Sequence, residues 1–166
     1  MTENEDNRIA LDLSTLKEGH EYDLDFCLTE KEQSYFPNLL SLGDTAFVLE
    51  VVSLGAISSF VLSGEGDILL QDAHDLAERC YHLSDSVEIT IQPSDEENSD
   101  ILPDADGLYD FRGAILALLF NTIPQNYSEV PLTKIEHENY VLMSEEEYEK
   151  EKKEKHNAFS ALDNLE

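Results

Sequence analysis

Cations are scarce in this chain: ten lysines and arginines stand against 37 aspartates and glutamates among 166 residues, for a formal net charge of -27 at pH 7. Four of the ten crowd into "EKEKKEKH" near the C-terminus, which leaves Arg8, Lys17, Lys31, Arg79, Arg112 and Lys134 for everything before it. No basic stripe can be assembled from so few. A protein that grips a phosphate backbone needs clustered lysine or arginine to displace counterions, so direct binding of naked nucleic acid is disfavoured by net repulsion. The same field attracts basic partners and favours solubility.

Cysteine is sparse as well: there are two, Cys27 and Cys80, 53 positions apart. The opening "MTENEDNR" is acidic where a secretory leader begins basic and then turns apolar, so the expected setting is reducing and cytoplasmic. Long apolar runs are missing too. "TAFVLEVV" and "AILALLF" fall far short of the roughly 20 residues that a membrane-crossing helix needs, so no membrane span is expected.

Catalytic signatures are few. There is no GxSxG elbow, and "GEGD" at 64–67 is too short for a phosphate loop and introduces no helix. Asp100, Asp104, Asp106 and Asp110 do not follow the alternating oxygen spacing of a calcium loop. His74, Cys80 and His82 within "HDLAERCYHL" lack an evident fourth zinc ligand, and the plainer expectation is a buried or half-buried Cys80 packed as a small hydrophobe beside exposed histidines. The residues thus give no support for an enzyme and imply no cofactor.

What is present is organised apolar patterning. Hydrophobic residues make up 41% of the chain, and a chain of this length buries roughly two thirds of its unfolded surface without staples. Ile9, Leu11 and Leu13 alternate with polar residues, as do Tyr22, Leu24, Phe26 and Leu28 after the turn signal "KEGHE", which predicts two strands able to pair as neighbours. The stretch 30–44 reads as a loop with a short helical turn. Residues 45–72 predict two or three strands, with Gly55, Gly64 and Gly66 at turns or bulges, and 86–93 predicts another ended by Pro93. The acidic segment 94–110 carries seven acidic residues and no base, and reads as a mobile surface loop. Asp110 is the expected N-cap of a helix that packs on the sheet through Phe111, Ile115, Leu118 and Leu119. Ser144 and Glu147 form a capping-box pattern ahead of a charged, solvated helix, and Phe159, Leu162 and Leu165 follow in a short docking tail.

These elements resemble, in the same order, those of the YceD family. The resemblance covers most of the chain, from "IALDLSTLKEGHEYDLDF" through "LSGEGDILLQDAHDLAERCYHL" and "RGAILALLFNTIP" to "NAFSALDNL". Its most specific pieces are the pair Arg79 and Cys80 at a strand end, the leucine-rich helix closed by Ile123 and Pro124, and the ending Asn157, Phe159, Leu162. Where the family shows Cys-x-x-Cys, this chain has Ala77 and then Cys80, and the later cysteine-rich stretch of the family is replaced by a segment without cysteine. A metal role is therefore not carried over. The resemblance implies a non-enzymatic factor in large ribosomal subunit assembly and ribosomal RNA accumulation, and the charge turns that expectation towards basic ribosomal proteins or structured RNA in a pre-ribosomal particle. Arg79, Cys80, Arg112, Phe159 and Leu162 are the candidate partner contacts, with an intramolecular salt bridge as the plainer alternative for Arg79 and Arg112. An acidic adaptor or mimic unrelated to ribosomes is the alternative. The expected fold is α+β, an antiparallel sheet or partly closed barrel with one packed helix over 1–143 and a peripheral charged helix and tail over 144–166.

Overall fold

A computed structural model describes residues 7–129, 135–137, 140–143 and 145–160. The chain divides into two compact units, Met1–Tyr127 and Ser128–Glu166. The first is α+β: a curled antiparallel sheet that forms a half-barrel, with helices beside it.

The sheet is built from β2 (Glu21–Leu24), β3 (Leu39–Ser41), β4 (Ala46–Ser53), β5 (Ser58–Gln71) and β6 (Glu78–Ile91). β5 is its spine. One edge of β5 pairs with β6 over all fourteen residues; the other is shared, with Ser59–Glu65 against β4 and Leu69 and Leu70 against β3. Period-two alternation runs unbroken along β5, so that Phe60, Leu62, Ile68 and Leu70 all face the core. Cross-strand neighbours extend this face: Leu49 lies opposite Leu62, Val51 opposite Phe60, and Phe60 opposite Ile89. Beyond β5, β6 has no further strand partner among the described residues.

Glycines 64 and 66 lie inside β5 instead of at a turn. The reason is crowding: a Cβ on Gly66 would stand 2.5 Å from Thr45 Cα, and one on Gly64 would stand 2.8 Å from Leu118 Cδ2. The first two predicted strands do not pair with each other. β1 (Ala10–Leu11) pairs with β7 (Tyr109–Asp110), and β2 pairs with β4. Leu13 leaves the strand because Asp12 accepts the backbone N–H of Ser14 at 2.9 Å and starts a 3-10 turn over Leu13–Thr15.

The stretch 30–44 holds α1 (Glu30–Gln33), the predicted helical turn, and also β3, which the loop reading missed. α2 (Arg112–Thr122) sits on the concave side of the sheet through Ile115, Leu118 and Leu119, with Phe111 meeting the Phe60 ring edge-to-face at 5.6 Å. Each such side chain contributes about 1.5–3 kcal/mol by leaving water. The N-cap residue is Phe111 and not the expected Asp110, which stands one residue before it and whose Oδ1 accepts the N–H of Arg112 at 3.0 Å and that of Ile9 at 3.1 Å.

The acidic segment 94–110 is laced to the body where a mobile loop was expected. Asp100 accepts the Thr90 N–H at 2.6 Å and returns its own N–H to the Thr90 carbonyl at 2.9 Å, along the outer edge of β6. Asp104 accepts the N–H groups of Asp106 and Leu108. The carboxylates that made the segment look unfoldable are the acceptors its backbone needs.

The second unit holds a hairpin of β8 (Ile135–His137) and β9 (Tyr140–Leu142), followed by α3 (Glu145–Ser160). Three glutamates occupy the first turn of α3, where the helix dipole favours them, and Tyr148 is exposed. α3 runs through Asn157 and Phe159, so the backbone of the expected docking tail begins as helix. Ser144, Leu162 and Leu165 lie outside the described residues.

Candidate functional site

The arginines expected to face a partner are engaged by carboxylates of the same unit. Arg112, first residue of α2, donates from Nε to Glu32 Oε1, from Nη1 to the Asn7 carbonyl and from Nη2 to the Cys27 carbonyl, each at 2.8 Å. Nη2 also reaches Glu32 Oε2, and the guanidinium lies over the Phe26 ring, 4.8 Å from its centroid. Only 11% of the Arg112 side chain and 13% of the Glu32 side chain remain exposed. Glu32 is positioned by a capping box: Thr29 Oγ1 accepts the Glu32 N–H at 3.2 Å, and Glu32 Oε2 accepts the Thr29 N–H at 2.8 Å. The spacing of Thr29 and Glu32 was the signal that would have exposed this pair in the sequence.

The Arg112 guanidinium, aided by the Thr29 hydrogen bonds and opposed by burial, holds the Glu32 carboxyl at about 2 against an ordinary value of 4.5. A carboxyl lowered on folding stabilises the native state above its unfolded value, and that contribution fades as pH falls from about 4.5 to about 2. The shift corresponds to stability on the order of 3 kcal/mol. Glu32→Gln is therefore expected to flatten the loss of stability across that window, measured by urea unfolding at stepped pH. A mutant curve as steep as the parent's there would refute the assignment.

Arg79 donates from Nη2 to Asp75 Oδ2 at 2.6 Å, and its Nε lies 3.6 Å from Oδ2 of the fully buried Asp72. Asp72 organises the connection from β5 to β6. Its Oδ1 accepts the His74 N–H at 2.8 Å, its own N–H goes to the Ala77 carbonyl, and Leu76 completes the turn at φ +60°. Arg8 pairs with Asp104 and stands 3.8 Å from Asp110. The described part of the first unit is thus left with Lys17 and Lys31 as exposed cations outside the ion pairs named here.

"HDLAERCYHL" is the end of this connection and the start of β6. Cys80 is exposed instead of packed, because Glu78, Cys80 and His82 alternate onto the outward face; His82 Nδ1 meets Asp67 Oδ1 at 2.8 Å across the strands. Among the described residues, no three His, Cys, Asp or Glu side chains are grouped to hold a metal ion. The structure does not bring Arg79, Cys80 and Arg112 together as one patch: Arg79 and Cys80 begin β6, while Arg112 begins α2 against α1. The Phe159 side chain and Leu162 lie outside the described residues.

Clefts on the described surface of the first unit include three that bear on these residues. One of about 320 Å³ belongs to the Arg112 cluster, between Asn7, Arg8, Asp25 and Cys27. The other two flank α2. A cleft of about 450 Å³ runs between β6, residues 100–102 and α2, and one of about 430 Å³ lies between Tyr35, Phe36 and α2. Reading α2 only for its core face hid them.

No family model, curated protein or solved structure matches this chain. The likeness to the YceD family therefore rests on the residues quoted above, and function has to be argued from surface chemistry. Among the described residues no helix is long and apolar enough to cross a membrane.

Proposed function

We propose that this chain is a non-enzymatic factor in large ribosomal subunit assembly, and that it works by docking basic ribosomal proteins or a particle that presents them. The observation that carries the reading is electrostatic. Between residues 7 and 127 the sequence holds 23 acidic and five basic side chains, and three of those five, Arg8, Arg79 and Arg112, are neutralised by carboxylates of the same unit. The field that reaches solvent is nearly one-signed. Such a field raises the encounter rate with cationic surfaces and repels bare phosphate. The sequence resemblance supplies ribosomal proteins as the cationic class. The same field also supports the second reading, an acidic adaptor for a basic protein outside the ribosome.

Sucrose-gradient sedimentation of cell extract separates the two. The expected result is co-migration with large-subunit precursors, lost as salt is raised, together with a fall in mature large-subunit RNA when the protein is depleted. A protein that stays at the top of the gradient, with ribosomal RNA unchanged in rapid growth, rules out the assembly reading.

A further inference from the structure

The outward side of α2 departs from the character of the chain. α3 carries charge at ten of its sixteen positions, whereas α2 has a single charged residue in eleven, Arg112, and that one is folded onto Glu32. Inward, α2 presents Ile115, Leu118 and Leu119. Outward, Gly113, Ala117 and Phe120 follow at i, i+4 and i+7, and Phe120 is 55% exposed. A helix that is apolar on every side is one with neighbours on every side. Here the outward side is largely open, although Phe36 meets the Phe120 ring edge-to-face at 6.3 Å between centroids.

The two clefts flanking α2 meet at Ala117, which lines both. Their walls are Ile101 and Leu102 on one flank and Tyr35 and Phe36 on the other, with Leu102 and Tyr35 each about half exposed. The result is one apolar seam along the helix. Gly113 and Ala117, one turn apart, leave its floor low, and nothing stands within 4 Å of where a Gly113 Cβ would be. Small residues at such a contact let a second helix axis approach to the short end of the usual 8–10 Å range. The charge lining the β6 flank is of one sign: Glu88, Asp100 and Asp110.

We infer that this seam is the docking site for a short amphipathic helix of a basic protein, with its apolar stripe over Gly113, Ala117 and Phe120 and its lysines or arginines against Glu88, Asp100 and Asp110. The inference deepens the docking reading above and rests on it for the sign of the partner. Charge complementarity selects the occupant. A second copy of this chain would bring another net charge of -27 against the same acidic flank.

The test uses the purified full chain and a synthetic peptide with leucines at i, i+3, i+4 and i+7 and lysines elsewhere. Its controls replace leucine by serine, or lysine by glutamate. The leucine-lysine peptide is expected to bind, and Ala117→Trp, which fills the seam, to weaken it about tenfold or more. Phe120→Ser, at an exposed position, is expected to weaken it as well, and Glu88→Lys to do so most at low salt. Equal binding of the serine-lysine peptide overturns the seam, as does indifference to both Ala117→Trp and Phe120→Ser in folded protein. So does a dimer of the parent chain that Ala117→Trp dissolves. Particle association that survives Ala117→Trp overturns the seam and leaves the assembly reading standing; peptide binding without particle association does the reverse.

Discussion

Arg112→Ala is expected to lower the unfolding free energy by about 3–5 kcal/mol, because it strands a mostly buried carboxylate. The loss should be larger than the pairing energy itself. Glu32 would keep its capping-box bonds but lose the cation that makes its ionisation favourable, while the Asn7 and Cys27 carbonyls would lose a donor together. Arg112 joins its own helix α2 to two stretches far from it in sequence, residue 7 and the run from Phe26 and Cys27 into α1. Arg112→Lys keeps the charge but not the planar fork, so it should recover only part of the loss. Urea unfolding followed by circular dichroism measures both. A cost below about 1 kcal/mol for alanine, typical of an exposed ion pair, would show that the cluster is peripheral.

Gly66→Ala is the second large effect expected, at about 2–3 kcal/mol for one added methyl group. The new Cβ would fall 2.5 Å from Thr45 Cα and 2.8 Å from its Oγ1. Main chain cannot step aside as a side chain can, so the start of β4 would have to move, and Ala46 is paired with Glu65 next door. Gly64→Ala is the instructive contrast. Its closest obstacle at 2.8 Å is Leu118 Cδ2, the far end of a flexible side chain. It should therefore cost less than Gly66→Ala, with similar denaturant slopes for both. The opposite order of midpoints would refute the crowding assigned to Thr45.

How much of this was legible in the sequence varied with the kind of interaction. β-branched and aromatic density announced strands across 45–72, though Gly64 and Gly66 read as breaks in what is the single strand β5; alternation announced the second half of β6, and helical spacing the core face of α2, because burial imposes those periods directly on residue choice. Partner choice was not legible. Ile9 to Leu13 has the same pattern whether its neighbour is β2 or β7, and the Asp12 turn that decides the matter is a local hydrogen bond. β3 and the hairpin of β8 and β9 are three residues long per strand, too short to show a period. The acidic segment misled for a specific reason: composition counts a carboxylate as a solvated charge, while Asp100 and Asp104 serve as backbone acceptors. Arg79 and Arg112 were visible as scarce cations, but scarcity does not say which carboxylate each one meets: Asp75 and Asp72 for Arg79, Glu32 for Arg112.

One last consequence follows from the way the half-barrel ends. β6 offers a fourteen-residue outer margin, and the chain answers it near Thr90 with the Asp100 segment, which lies there as a makeshift substitute strand. Further back, Asp85 accepts the Thr122 hydroxyl of α2 at 3.0 Å and Tyr127 meets the Tyr81 ring edge-to-face, while Glu88 stands exposed. An uncovered ribbon of amides invites a neighbouring molecule to zip on, and inserted charge is a common guard against it. Carboxylates beside such a margin, Glu88 among them, disfavour edge-to-edge pairing between two copies of so acidic a chain.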